Sequence, residues 1–284
     1  MRHSPGRLEK HVEVHMAGEA GDERGVLYPV SLPHFERHAP PPSLAETVQW
    51  FWLARWDLAP NQVRRQQLLT FPTLNLVVQP GSVLLSGPST GASHRDLEGT
   101  GWVLAALLQP AAAEQLGVNP AALAGRELPF PQPALQGRVE ALMAHAVPAS
   151  DAFEAIEVLA RWLAKLPKPS DTGLLANRML RLVATNRSMT QVSDLADALD
   201  VGVRSLQRLS AAHLGVPPLQ VIRRYRVQEA AMRLRGEPGL SLARLAAELS
   251  YTDQAHFATD FRRFIGLTPG SYQRQAAASS SEFT

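Results

Sequence analysis

The chain has 284 residues, 45% apolar and 19% charged, with a formal charge of +2, which excludes a disordered or fibrous protein and leaves room for about two domains. It contains no Cys, which rules out disulfide scaffolds, Cys-bearing zinc fingers, thiol nucleophiles and Cys-based alkyl acceptors, and fits a reducing compartment. No apolar run approaches the ~18 residues needed to span a bilayer, and the polar opening Met1–Asp22 lacks the apolar core of a signal peptide, so the expected location is the cytoplasm, with no membrane partner.

Residues 1–27 carry no sustained period and read as a flexible tail. Within it His11, Glu13 and His15 alternate, as three metal ligands on one side of a strand would, but nothing periodic supports them and a solvated tail is the default. Tyr28–Ser43 is rich in Pro and should be extended. From Glu46 to Asp57 the apolar residues alternate, which predicts a strand with Val48, Trp50, Trp52, Ala54 and Trp56 on one face. Such a stripe is usually the core of a sheet; alternatively Trp50, Trp52 and Trp56 line a pocket for an apolar or aromatic effector. Further strands are expected at Val63–Leu69, Leu74–Val78, Ser82–Ser86 and Trp102–Leu108, making a small sheet or barrel. Gly87-Pro88-Ser89-Thr90-Gly91, with His94 nearby, matches the spelling of a nucleophile elbow. An elbow needs a helix after the turn, and Gly91–Gly101 has no helical pattern, so a plain hairpin loop is expected. Helices follow at Ala111–Leu116, Ala134–Ala146 and Ala152–Leu166, and Pro167-Lys168-Pro169-Ser170 then reads as a linker. His145 and His213 read as ordinary helix residues.

From Asp171 onward the pattern is helical to about Gln273, and this part holds 14 Arg, no Lys and 10 acidic residues, against 14 Lys+Arg and 16 Asp+Glu upstream. Arg favours planar, bidentate contacts to phosphates and base edges. Leu195-Ala196-x-x-Leu199 recurs as Leu245-Ala246-x-x-Leu249, and Leu206, Ser210, Gly215 and Pro218 recur as Phe257, Phe261, Gly266 and Pro269, so one unit occurs twice. Each unit reads as a short helix, a tight turn at Asp200–Gly202 or Ser250–Thr252, and a second helix. Thr190 and Ser241 suit the first N-caps and Thr252 the later one, with Leu240 and Leu245 at the spacing of a hydrophobic staple. Phe257, Phe261, Phe264 and Ile265 form a core stripe, while Ala255, His256, Thr259, Arg262 and Arg263 face away; in the first unit Arg204, Arg208 and Ala211 do so, with Gln207 at the flank. A short helix crossing a second one with an Arg-bearing outer face is a helix-turn-helix, whose second helix enters the DNA major groove. The helical pattern Pro218–Arg235 between the units is a strut of roughly 27 Å, compatible with successive major grooves about 34 Å apart. Its Arg223, Arg224, Arg226, Arg233 and Arg235 read equally well as a solvated face or as phosphate contacts.

The run Leu245-Ala246-x-x-Leu249-x-Tyr251-x-Asp253-Gln254-x-His256-Phe257-x-x-x-Phe261-Arg262-Arg263-Phe264-x-Gly266-Leu267-Thr268-Pro269 closely resembles the second helix-turn-helix of AraC-type transcription regulators, and Thr190–Pro218 resembles the first. The Trp50-Phe51-Trp52 strand and Gly101–Leu123 resemble, more loosely, the effector-type domain that accompanies some members. The resemblance implies base contacts from Arg204, Gln207 and Arg208, with Ser205 beside them, and from Ala255, Ala258 and Thr259 in the second unit. Gln254 and His256 add polar contacts, and Arg262 and Arg263 hold phosphate. Arg pairs with guanine and Gln with adenine, whereas Ala and Thr mainly meet thymine methyls, so the first unit should supply most direct readout. Members usually carry Gly where this chain has Asp200 and Ser250, which predicts strained or reshaped turns, and Gly202 replaces a capping Ser.

The expected fold is α+β: a β-rich sheet or barrel domain with flanking helices over 28–166, a linker at 167–172, an all-α double helix-turn-helix over 173–275, and a flexible tail over 276–284. The expected function is sequence-specific transcription regulation on double-stranded operator DNA, with no cofactor or resident metal. The sequence admits, without requiring, a small-molecule effector, a homodimer partner and RNA polymerase. Two rivals stand beside it, an N-terminal hydrolase using Ser89 fused to a DNA-binding domain and a non-specific architectural DNA-binding protein.

Overall fold

The computed structural model describes residues 34–68, 71–89, 91–144, 149–237 and 239–281. The tail with His11, Glu13 and His15 therefore lies outside the described residues, as do residues 28–33 of the Pro-rich lead-in and His145. The first part is built from strands β1 (His34–His38), β2 (Val48–Asp57), β3 (Val63–Leu68), β4 (Asn75–Gln79), β5 (Ser82–Ser86), β6 (Ser93–Glu98) and β7 (Thr100–Leu108), then helices α1 (Ala112–Gln115) and α2 (Pro120–Leu123), strand β8 (Glu127–Pro129), and helices α3 (Pro133–Met143) and α4 (Ala149–Leu163). Six strands form one antiparallel sheet in the order β1-β2-β7-β4-β5-β8, while β3 and β6 form a separate two-stranded ribbon.

The two faces of β2 go to different places. Phe51 and Leu53 join Leu76, Val78, Leu85, Leu104 and Ala106 in the core that α3 and α4 cover with Leu135, Val139, Ile156 and Leu159. Trp50, Trp52 and Trp56 are on the other face and only partly buried, so they are not the main core. Val48, expected on the Trp face, instead packs with Phe51 and Leu53, because the register of β2 against β7 shifts between Val48 and Trp50 and a bulge inverts the alternation. The strand β6 was not anticipated: its sequence, Ser93-His94-Arg95-Asp96-Leu97-Glu98, is almost wholly polar and only Leu97 is buried.

The second part runs through α5 (Asp171–Thr185), α6 (Val192–Ala198), α7 (Val203–His213), α8 (Pro218–Gly236), α9 (Leu242–Glu248), α10 (Gln254–Ile265) and α11 (Pro269–Ser281). The last helix extends to Ser281 and buries Ala276, so the segment expected to be a loose tail from 276 is helical as far as Ser281. Between the two parts, residues 164–170 are firmly tied. Gln115 Nε2 donates to the Pro167 carbonyl at 2.5 Å, and Ser170 donates through its backbone N–H and its hydroxyl to the Glu114 carboxylate at 2.7 and 2.8 Å. Ser170 also caps α5 by accepting from Gly173 N–H. Nearly two turns into α5, buried Asn177 accepts from Ala111 N–H at 2.9 Å and donates to the backbone and side chain of Glu46 at 2.9 and 2.8 Å.

Candidate nucleic-acid interface

Each helix-turn-helix begins on a cap, but two caps sit one residue later than the expected Thr. Gln191, not Thr190, caps α6, its N–H bonded to Asp194, and Asp253, not Thr252, caps α10, accepting from His256 N–H at 2.7 Å. Neighbouring polar residues both suit a cap by composition; the one whose backbone is extended at the entry of the helix takes the role. Ser241 caps α9 as expected, and Gly202 starts α7 with no side-chain cap. The turns contain Asp200 at φ 54° and Ser250 at φ 57°, both left-handed, where a Cβ is unfavourable. The strain expected of the missing glycines is thus present in the backbone.

Behind each turn the crossing is close. Ala196 and Ala246 are buried, and α7 and α10 bury Leu206 and Leu209, and Phe257, Phe261, Phe264 and Ile265, in separate cores. Those aromatic rings meet edge-on, with Phe257 and Phe261 5.6 Å apart and Phe261 and Tyr272 5.5 Å apart. The apolar faces being used inward, the opposite faces are free. Arg204, Ser205, Gln207 and Arg208 on α7 are exposed, as are Gln254, Ala255, Thr259, Arg262 and Arg263 on α10. His256 is only partly exposed: its ring lies edge-on to Tyr251 at 5.4 Å, with Nε2 3.9 Å from Asp260. Ala258 is half-buried.

The arginines of the strut α8 are a correction. Neither a solvated face nor a phosphate row describes Arg224 and Arg226, because α8 is packed on several sides. Arg224 is 2% exposed, donates to the Ser89 carbonyl at 2.5 Å and stacks over Phe264 at 4.8 Å. Burial pushes its guanidinium down to about 10, with Arg263 lowering it further. Arg226 donates to the Thr190 carbonyl at 2.6 Å and stacks over Tyr251 at 5.7 Å, so it touches both helix-turn-helix units; burial lowers it too. Burial, and then the nearby Asp260 carboxylate, push the Tyr251 phenol up. Arg233 pairs with Glu248 at 2.6 Å, and Arg223 lies 3.7 Å from buried Asp260.

In the first part, Gly87–Gly91 joins β5 to β6, two strands, and the Ser89 hydroxyl donates to the Gly91 carbonyl at 2.6 Å. The connection links strands of two different sheets, so it is not the hairpin loop expected, and it lacks the strand-turn-helix that exposes a nucleophilic Ser. The Trp face of β2 lines a cavity of about 380 Å³, shared with Phe35, Arg37, Phe71 and Ser89, within the range of small-molecule sites.

Residues 195–275 match the family described as Helix-turn-helix domain, and residues 36–129 match a Domain of unknown function (DUF6597). Residues 195–275 are thus a helix-turn-helix domain. The chain is 31% identical, across 40% of its own length and 36% of the relative's, to a putative AraC-like transcription regulator of Streptomyces lividans. It is 32% identical to the HTH-type transcriptional regulator VirS of Mycobacterium tuberculosis, over 44% of this chain and 37% of VirS. Both matches therefore cover little more than a third of the relatives. Among solved structures, ToxT from Vibrio cholerae aligns over 80% of this chain and 98% of its own, at 10% identity and a TM-score of 0.44.

Proposed function

We propose that the chain is a sequence-specific DNA-binding transcription regulator whose helices α7 and α10 read two adjacent major-groove segments. The observation that carries this is the pairing of two similar units with buried apolar faces and, on both second helices, exposed outward faces at Arg204, Gln207, Arg208 and Gln254, Ala255, Thr259. In this reading 28–166 is the sensing or dimerising domain, 167–172 the linker and 173–275 the DNA-binding domain, and Trp50, Trp52 and Trp56 meet a small effector. The cytoplasm is its compartment; RNA polymerase and a second copy of the chain are the protein partners it admits, and it requires no catalytic step.

Direct readout belongs mainly to α7, since each bidentate Arg or Gln contact discriminates by about 1–3 kcal/mol and an Ala or Thr contact by less. Arg262 and Arg263 hold phosphate. A base-by-base substitution scan of a bound duplex, repeated with Arg204→Ala and Thr259→Ala, tests the ranking. The expected outcome is loss of discrimination at one position under α7 for Arg204→Ala and a smaller change for Thr259→Ala. Stronger discrimination under α10 overturns it, and equal affinity for all duplexes would favour an architectural protein instead.

A further inference from the structure

Two residues that line the cavity, Ser89 and Phe71, touch the strut of the DNA-binding part. Ser89 lines the cavity and its carbonyl accepts from Arg224 of the strut, while Ala92 N–H, three residues on, donates to the Arg263 carbonyl near the end of α10 at 2.9 Å. A second line runs through rings: Trp50, on the cavity wall, meets Phe71 edge-on at 4.9 Å, and Phe71 meets Tyr225 of the strut at 6.5 Å. Both lines end on adjacent residues of α8, Arg224 and Tyr225. In the first, Arg224 is a buried cation that meets the Ser89 carbonyl and the Phe264 ring face, and its desolvation works against the contact. Contacts of that kind give way to small displacements of the segment that bears Ser89.

The chemistry of the walls narrows the occupant. The indole N–H groups of Trp52 and Trp56 are already donated to Asn75 Oδ1 and the Glu98 carbonyl, so these side chains offer ring faces, not donors. The Arg37 guanidinium lies over Trp50 at 4.7 Å and beside Phe35 at 5.7 Å, a cation set among aromatic rings. The lining carries Arg37, Arg95 and Arg126 against one carboxylate, Glu127, which Arg95 engages at 2.7 Å.

We propose that this cavity binds a planar aromatic anion, ring between the Trp faces and anionic group toward Arg37, and that its occupancy loosens the Ser89–Arg224 and Ala92–Arg263 contacts on the second helix-turn-helix. This rests on the effector reading above. The ligand is identified by its chemistry alone, a flat hydrophobic ring system with one negative charge.

The test uses the full chain and two probes, 8-anilino-1-naphthalenesulfonate and its uncharged counterpart N-phenyl-1-naphthylamine. Tryptophan quenching reports occupancy and amide exchange at Ala92 reports the contact. The sulfonate should bind at least about tenfold more tightly than the amine, and Arg37→Met should remove most of that difference. Bound sulfonate should speed exchange at Ala92, and Trp52→Phe should weaken binding while leaving the fold intact. Arg224→Met should speed Ala92 exchange with no probe present. Equal binding of the two probes, or sulfonate binding untouched by both Arg37→Met and Trp52→Phe, overturns the site; binding with Ala92 exchange unchanged overturns the coupling. Duplex binding measured without either probe reports separately on the DNA-binding reading.

Discussion

The left-handed turn residues give a quantitative handle on the helix-turn-helix units. Ser250 at φ 57° closes the turn between α9 and α10, where its N–H and that of Tyr251 donate to Ala247 and Ala246 at 3.0 Å. A left-handed L-residue costs about 1–2 kcal/mol. Glycine removes that cost but adds about 0.4–1 kcal/mol of unfolded-state entropy. Ser250→Gly should therefore stabilise by about 0.5–1 kcal/mol, a rise in Tm of about 1–4 °C for a chain of this size. Asp200 is at φ 54° in the matching turn, but Asp tolerates this region, so Asp200→Gly should gain at most about half as much. Ser250→Val, β-branched, should instead lower Tm. Thermal unfolding followed by circular dichroism on the three variants checks the series. A fall in Tm for Ser250→Gly, or a rise for Ser250→Val, would refute the claim that the turn stores backbone strain.

Two further substitutions probe how the parts are joined. Asn177→Ala removes the acceptor of the Ala111 N–H and both bonds to Glu46, and should destabilise by about 2–3 kcal/mol in denaturant unfolding, with Asn177→Asp recovering only the acceptor; no change in midpoint would show that the junction carries no stability. Gly215 is at φ +70°, and a Cβ there would lie 2.5 Å from the backbone of Pro120 and Ala121. Gly215→Ala should cost about 2 kcal/mol or more and separate α2 from α7, read as faster tryptic cleavage after Arg126, whereas unchanged cleavage and Tm would contradict the docking.

The helix-turn-helix units were legible because their signal is repeated and apolar. The Phe257, Phe261, Phe264 and Ile265 stripe and the small Ala196 and Ala246 carry the same geometry in sequence and structure. Cap positions slipped by one residue at Thr190 and Thr252, since cap chemistry does not fix which of two polar neighbours has the extended backbone. The strut was the larger miss. Its arginines sit in a helix covered by several neighbours, and no single-helix period reports that Arg224 meets the Ser89 carbonyl of a segment 135 positions earlier. Polar β6 escaped because a two-stranded ribbon needs few apolar residues, and Val48 changed faces because a bulge leaves no mark in an alternating pattern. The Trp row was legible as a stripe; that it opens on a cavity required the placement of β3 and β6.

Selection of bound duplexes from a random pool by the full chain tests the central claim most directly. Two fixed probes on one strut should enrich paired motifs about one helical turn, roughly 10 base pairs, apart, with the sharper motif under α7 and the pair lost when the spacing is changed by half a turn. Enrichment of a single unpaired motif, or of nothing beyond the starting pool, would contradict it.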